Sequence, residues 1–296
     1  MKITDQTVIV AADGGGTGCR VAAGTLGGGI LAQASGGPGN VHSNFDGAIA
    51  NLTAAVAEAL TAADLADTPL DRVVAHFGVA GAHSEVEMSA VARALPYGHA
   101  SVTGDRATSV RGTLGDADGY VVALGTGTIV ARQAALQMRT IGGWGFDLSD
   151  QASGAWLGLR LLQEAILAED GLRDHTELSR KALEERGGLI ETVHFAAHAV
   201  PGDFAQLARA VITAAQEGDD LGQSLLREGA AYIERGLRTL GFQEGDLLAL
   251  AGGVGPHYAP YLPAAMTARL APPKGTALEG AFAMAQDAAR SLRGCD

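Results

Sequence analysis

Two short loops of glycine and threonine are the clearest places where this chain could do chemistry. Asp13-Gly14-Gly15-Gly16-Thr17 follows an apolar run at 7–12 and leads straight into another at 20–25. Glycines there let backbone N–H groups approach phosphate oxygens with no Cβ in the way. An aspartate at the strand end can hold a hydrated Mg2+ ion. The plain alternative is a glycine-rich hairpin turn. Gly125-Thr126-Gly127-Thr128 occupies the same place in a second unit, between predicted strands at 120–124 and 129–132. Each alone reads as a hairpin; together they can clamp a polyphosphate from two sides. Thr103-Gly104-Asp105 ends a short strand and opens a helix. Asp105 is then either an ordinary helix N-cap or a general base that takes a hydroxyl proton during phosphoryl transfer. Gly252-Gly253-Val254-Gly255 follows an apolar strand at 247–251. It is either a helix-entry turn or a glycine surface on which adenine or ribose can lie.

Several rival chemistries lack their residues. No G-x-x-x-x-G-K-[ST] is present, which excludes a P-loop, and no G-x-G-x-x-G follows a strand, which disfavours a nicotinamide enzyme. A G-x-S-x-G elbow is also missing. His194 and His198 are four apart but lack the glutamate of H-E-x-x-H, so they read as helix or loop histidines. His42, beside Asn40, reads as a surface histidine. Cys19 and Cys295 form no C-x-x-C, so reduced thiols are expected rather than a thiolate metal site. The net charge of -12 comes without a basic stripe. That argues against nucleic acid and against anionic membranes as partners, though not against ATP, whose phosphates amides and Mg2+ neutralise locally. The apolar run before Asp13 is too short for a signal peptide, and no segment reaches the roughly 20 apolar residues of a membrane span. A soluble, cytoplasmic chain is expected.

The elements that must position these loops follow from hydrophobic period. With 296 residues, 47% of them hydrophobic and 18% charged, the chain is long enough for two α/β domains. Strands at 7–12, 20–25 and 30–34 make an opening meander. A helix at 44–63 follows, with Phe45, Ile49, Leu52, Val56 and Leu60 on one face. Then come a strand at 72–79, a helix at 84–95, a short strand at 101–103 and a helix at 105–114. The layout of apolar run, Gly/Thr loop and apolar run restarts at 120–132, with a further strand at 138–141, which is evidence of duplication. Helices are expected at 153–169, 178–185, 204–217, 222–240, 258–270 and 278–292. The boundary is placed at 116–119, giving domains at 1–116 and 117–296, with the last helix free to pack back on the first domain. Two parallel-type α/β domains leave a cleft at the carboxyl ends of their strands.

In order, these four loops resemble the phosphate-1, connecting, phosphate-2 and adenosine segments of the actin/hexokinase/Hsp70-like superfamily. Within it the chain is similar to the BadF/BadG/BcrA/BcrD ATPase branch, which also groups bacterial glucosamine kinases and N-acetylglucosamine kinases. The match spans nearly the full length. DGGGTGCR at 13–20 and GPGNV at 37–41 fit the branch's nucleotide and sugar loops, and GGWG at 142–145 fits a signature. SDQASG at 149–154 runs on into 157–167 and Asp170-Gly171. It is closer to glucosamine kinases than to the G-D-E-G-S form of animal N-acetylglucosamine kinases. Residues 277–281 also fit that group's last helix. The branch's activases bind an Fe–S cluster through cysteines this chain lacks.

The resemblance implies two ribonuclease-H-like (actin-like ATPase) domains with an interdomain cleft and transfer of the ATP γ-phosphoryl group to the 6-hydroxyl of glucosamine. It implies Asp105 as catalytic base and Asp13 as the Mg2+ residue. ATP falls to Gly14, Gly15, Gly16, Thr17 and Arg20, to Gly125, Thr126, Gly127 and Thr128, and to Gly252, Gly253, Val254 and Gly255. The sugar falls to Asn40, Gly143, Trp144 and Asp150 beside Asp105. Asp150 and Gln151 offer acceptors for an amine at C2, whereas Trp144 offers a notch for an acetyl group, so N-acetylglucosamine stays open. A sugar-sensing regulator or a partner-moving ATPase are the other readings. A first strand near residue 7 leaves no room for a DNA-binding module ahead of it. Branch kinases are often dimers, so a homodimer is implied.

Overall fold

The structure is a computed structural model that describes residues 2–293; Cys295 lies outside the described residues. The chain opens with β1 (Val8–Gly14), β2 (Cys19–Thr25) and β3 (Gly29–Gly36), an antiparallel meander. Helix α1 (Phe45–Ala62) then leads into β4 (Val74–Val79), α2 (Glu85–Ala94), β5 (His99–Gly104) and α3 (Asp105–Leu114). β4 and β5 add parallel to β1, so the first sheet runs β3-β2-β1-β4-β5. The pattern then restarts with β6 (Gly119–Leu124), β7 (Thr128–Ala134) and β8 (Gln137–Ile141). Six helices follow: α4 (Gly154–Glu169), α5 (Glu177–Glu184), α6 (Leu189–His198), α7 (Pro201–Ala205), α8 (Ala208–Glu217) and α9 (Asp220–Thr239). β9 (Leu248–Ala251) joins β6 in parallel, giving a second sheet β8-β7-β6-β9. A 3-10 stretch (Gly255–Tyr261), α10 (Ala264–Thr267) and α11 (Ala277–Arg293) close the chain.

Two compact units result: residues up to Ala117 together with those from Pro273 onward, and Asp118–Pro272. The sequence-based division left the last helix free to pack back on the first domain, and in the structure α11 groups with that unit. Alternation along the strands explains how the first sheet is held. Val8, Val10 and Ala12 join the core that includes Leu52 and Val56 of α1 and Val91 of α2. Ile9, Ala11 and Val74 face the other way, onto Leu278, Ala281, Phe282 and Ala285 of α11. Glycines permit a close α3–α11 approach: a Cβ on Gly112 would sit 2.0 Å from the Thr276 carbonyl oxygen, and one on Gly280 2.1 Å from that of Thr108. Buried Arg111 adds ion pairs to Asp116 and Asp287.

The second unit buries one large core of Leu157 and Leu161 from α4, Leu225, Leu226 and Ile233 from α9, and Val122 and Leu124 from β6. The predicted helix at 204–217 is two helices. At the break the Leu207 N–H bonds the Phe204 carbonyl in a tight 3-10 turn, against which Gly158 packs. The helix predicted at 258–270 is also broken: Pro260 sits inside the 3-10 stretch and Pro263 precedes α10, consistent with the N–H that proline lacks. His194 and His198 lie on α6, and His198 Nδ1 bonds the His194 carbonyl. Among the described residues no helix is long and apolar enough to cross a membrane.

Candidate active site

In the first unit, register brings the acidic candidates together. Parallel pairing places Asp13 of β1 opposite Gly78 of β4, and Gly78 opposite Thr103 of β5, in one row at the carboxyl ends of three strands. Asp105 follows one residue beyond β5 as the first residue of α3. The N-cap is Gly104, which has no side chain to cap with, so Asp105 does not fill the ordinary capping role open to it in the sequence. Gly78 is needed here for close packing: an added Cβ would lie 2.4 Å from the Thr108 side chain. Thr108 in turn donates to the Asp105 carbonyl at 2.9 Å.

Both carboxylates are held above the ordinary aspartate range. Burial is the main cause at Asp13, joined by repulsion from Asp105 and offset by attraction to Arg20. Burial again dominates at Asp105, offset by the Arg106 charge, the Arg106 backbone N–H and His83. Two half-buried carboxylates repelling each other at a strand-end row form a site that favours either a proton or a cation between them. Arg20 pairs opposite Asp13 across the hairpin, and its own side chain is exposed.

The loop from Gly15 to Gly18 closes with the Gly15 N–H on the Gly18 carbonyl at 2.9 Å. Its flank is the 37–41 loop, whose Gly39 N–H bonds the Gly15 carbonyl and whose Val41 N–H bonds the Ala80 carbonyl. Asn40 sits in that loop with its Oδ1 taking the backbone N–H groups of His42 and Ser43, at 2.9 and 3.2 Å. Its side-chain oxygen is committed to the turn, and the Nδ2 amide remains as donor.

The second unit repeats the hairpin: the Gly125 N–H bonds the Gly127 carbonyl at 3.0 Å. Asp150 lies beneath it, only 7% exposed. Its Oδ1 accepts the Thr128 N–H at 3.2 Å, while the Thr128 hydroxyl donates to the Gln151 carbonyl at 2.6 Å. Asp150 and Ala152 both carry left-handed backbone, φ 66° and 68°, a strained conformation outside glycine that marks a built feature. Asp150, expected at the sugar, braces the Gly/Thr loop through Oδ1. Trp144 stands in the 142–145 turn, 67% exposed, with Gly142, Gly143 and Gly145 all at positive φ.

The structure also divides the candidate glycines. Gly252, at φ 79°, would put a Cβ 2.3 Å from the Leu124 carbonyl oxygen; Gly14 would put one 3.1 Å from that of Gly39, and Gly127 3.1 Å from the Asp150 carboxylate. Gly252 is required by the chain's own packing, and Gly14 and Gly127 are tightly enclosed by it. Gly16, Gly125 and Gly253 meet nothing within 4 Å. Open space over these glycines leaves room for a phosphate or ribose to approach the backbone. A groove of about 400 Å³ in the second unit is lined by Gly125, Gly154, Gly253 and Val254, with Arg209, Thr213 and Gln216 of α8 and His257. It joins the Gly125–Thr128 loop to the 252–255 turn. The α8 residues escaped the sequence reading, although their i, i+4, i+7 spacing on one helical face was available as a signal. Among the described residues no cluster of three or more acidic, histidine or cysteine side chains is built to hold a metal. Two carboxylates fit Mg2+, which keeps most of its waters and leans on one or two protein oxygens plus phosphates.

Comparison with known proteins agrees with this layout. The model of the BadF/BadG/BcrA/BcrD ATPase family matches residues 11–262. Glucosamine kinase GspK of Vibrio cholerae is 28% identical over 278 residues, covering 93% of this chain and 95% of that one. A solved structure from Chromobacterium violaceum, provisionally assigned as an N-acetylglucosamine kinase, superposes with a TM-score of 0.85 at 30% identity, over 96% of this chain and 100% of that one. A ROK hexokinase from Thermus thermophilus shares the fold, with a TM-score of 0.58 at 14% identity over 97% and 99% of the two chains.

Proposed function

The chain belongs to the BadF/BadG/BcrA/BcrD ATPase family, and we propose that it is an ATP-dependent amino-sugar kinase that phosphorylates the 6-hydroxyl of glucosamine. The observation that carries the reading is the Asp13–Asp105 pair at the end of a strand row, beside a glycine loop with open space over Gly16. ATP use follows from the family; Mg2+ and the acceptor belong to the proposal. Asp13 would hold Mg2+ through water, and bound there the ion neutralises phosphate charge and orients the chain of phosphates.

The residues' own tasks follow from their surroundings. Asp105 takes the proton of the sugar 6-hydroxyl onto a carboxylate oxygen. Its raised proton affinity makes it a better base than a solvated aspartate. Backbone amides at Gly15–Thr17 and at Gly125–Thr128 donate to phosphate oxygens, with the second loop pinned by Asp150. The groove of Gly253, Val254, Arg209 and Thr213 takes the adenosine. Asn40 offers its Nδ2 to a sugar hydroxyl, and Gly143 and Trp144 offer a sugar wall. With Asp150 used as a brace, the support for glucosamine rests on the similarity to the Vibrio enzyme. N-acetylglucosamine is the second reading, favoured by the Chromobacterium structure and by an exposed Trp144 suited to an acetyl group. A homodimer in the cytoplasm, with no nucleic-acid partner, completes the proposal.

A sugar panel in a coupled ADP-release assay tests it. We expect kcat/KM for glucosamine to exceed that for N-acetylglucosamine by at least ~10-fold, about 1.4 kcal/mol of differential transition-state binding. Preference for the acetylated sugar replaces the acceptor; no ADP release with any sugar rejects the kinase reading.

A further inference from the structure

His76 is buried in the middle of β4, 3% exposed, on the sheet face that carries Ile9 and Ala11. None of the chemistry above uses it. Its ring spans two hydroxyls of the neighbouring strand β5: Nδ1 lies 2.9 Å from Ser101 Oγ, and Nε2 lies 3.1 Å from Thr103 Oγ1. Ser101 Oγ in turn donates to the Ala75 carbonyl at 3.2 Å.

With the Ser101 hydroxyl donating to Ala75, the direction of the other two bonds follows. A hydroxyl has a single proton, and the Ser101 proton is spent on Ala75. Ser101 Oγ is then an acceptor toward the ring, so Nδ1 carries hydrogen. Burial holds the ring neutral, with its pKa lowered to about 4, which leaves Nε2 bare. Thr103 must therefore donate to Nε2. Thr103 stands in the strand-end row with Asp13 and Gly78, two residues before Asp105. Its proton is committed inward, so its hydroxyl can only accept from any group on its outer side.

We propose that His76 is a positioning residue: as the Nδ1–H tautomer it takes the Thr103 hydroxyl proton, fixes the end of β5 from which Asp105 hangs, and makes the Thr103 oxygen a pure acceptor beside the two carboxylates. A geometry held this way matters because displacing a reacting group by about 1 Å can cost roughly 10²-fold in rate. The proposal rests on the kinase reading for its kinetic consequence, and on hydrogen-bond geometry alone for the tautomer.

The test has two arms on the full chain. Long-range ¹H–¹⁵N NMR of histidine-labelled protein reads the tautomer directly, with Nδ1 protonated and Nε2 bare as the expected result at pH 7. Kinetics then compare His76→Leu, the isosteric Thr103→Val and the double variant. Each single change should lower kcat by roughly 10- to 100-fold with KM for ATP little altered. The double variant should be no worse than either, and Thr103→Ser should keep most of the rate. An Nε2–H ring or an imidazolium overturns the proposal. So do unchanged kcat in a folded Thr103→Val, or losses that multiply in the double variant. If the unaltered chain transfers phosphate to no sugar, the kinase reading fails and takes the positioning role with it, while NMR still decides the hydrogen-bond chain.

Discussion

The buried imidazole also sets how the protein responds to acid. Burial lowers the pKa of His76 from 6.5 to about 4. In the unfolded chain the ring gains its proton near pH 6.5; in the folded chain it resists until about pH 4. Unfolding is therefore favoured by proton uptake through that window, and stability from a neutral His76 is present above pH 6.5 and lost as pH falls toward 4. Each tenfold displacement is worth about 1.4 kcal/mol, so the full loss is about 3 kcal/mol, with about 2 kcal/mol already gone by pH 5. The perturbation is His76→Gln, which can bond a hydroxyl but does not titrate. Asp13 and Asp105 act in the opposite sense: their raised pKa values relieve buried charge as pH falls. Both proteins carry them, so their contribution cancels in the difference. Urea unfolding of the two proteins at intervals from pH 7 to pH 4 is the assay. The variant should be less stable at pH 7, where it loses well-made hydrogen bonds worth about 1 kcal/mol each. Its disadvantage should shrink by about 3 kcal/mol on acidification and turn into an advantage. A stability difference that stays flat across the range would refute the assignment of a buried neutral ring.

Asp105→Asn should lower kcat by at least ~10²-fold, the scale of losing a general base, while raising the stability of the ligand-free protein, because a half-buried charge is removed. That gain should fade as pH drops through the raised carboxylate pKa, and normal turnover in the folded variant removes Asp105 from the reaction. Gly16→Val and Gly253→Val should weaken ATP binding in calorimetry at unchanged Tm, since a side chain there meets only open space. Gly252→Ala should instead lower Tm, because its φ of 79° and a Cβ 2.3 Å from the Leu124 carbonyl oxygen both oppose it; a Tm loss shared by all three would erase the division. Tyr258→Phe should be neutral or stabilising by up to about 1 kcal/mol, because its buried hydroxyl has no hydrogen-bond partner among the described residues and lies against Gly229; a clear loss would reveal a partner for that oxygen.

How much of this was legible in sequence depended on the kind of information each feature carries. Local pattern carried the architecture. The apolar run, glycine loop, apolar run at 7–25 and again at 120–132 became β1–β2 and β6–β7 in matching sheets. That layout survives because strand alternation and turn chemistry act over a few residues. Breaks set by tertiary approach were not visible: nothing local at 204–217 announces that a Cβ on Gly158 would sit 2.0 Å from the Phe204 carbonyl oxygen. The break in 258–270 was visible, since Pro260 and Pro263 stand in the sequence, and helical period was allowed to outweigh them.

Side-chain roles were the harder part, because residue type fixes what a group can do and only direction fixes what it does. A motif of glycines names positions without saying which lack a side chain for the chain's sake and which for a ligand's. At Gly252 the reason is the Leu124 carbonyl; at Gly253, one residue on, it is empty space. Asp150 shows the same ambiguity. As a carboxylate in a family-like segment it suited a sugar hydroxyl, yet its left-handed backbone turns the carboxylate under Thr128. The loop proposed to grip phosphate is thus held by a carboxylate that motif reading had placed elsewhere. His76 completes the pattern from the other side: an unremarkable histidine in an apolar strand, 25 residues before Ser101 and 27 before Thr103, gains its role only through parallel pairing. Parallel register is a property of two distant segments at once, and so the orientation of the strand end that carries Asp105 is written in the sheet rather than in the motif.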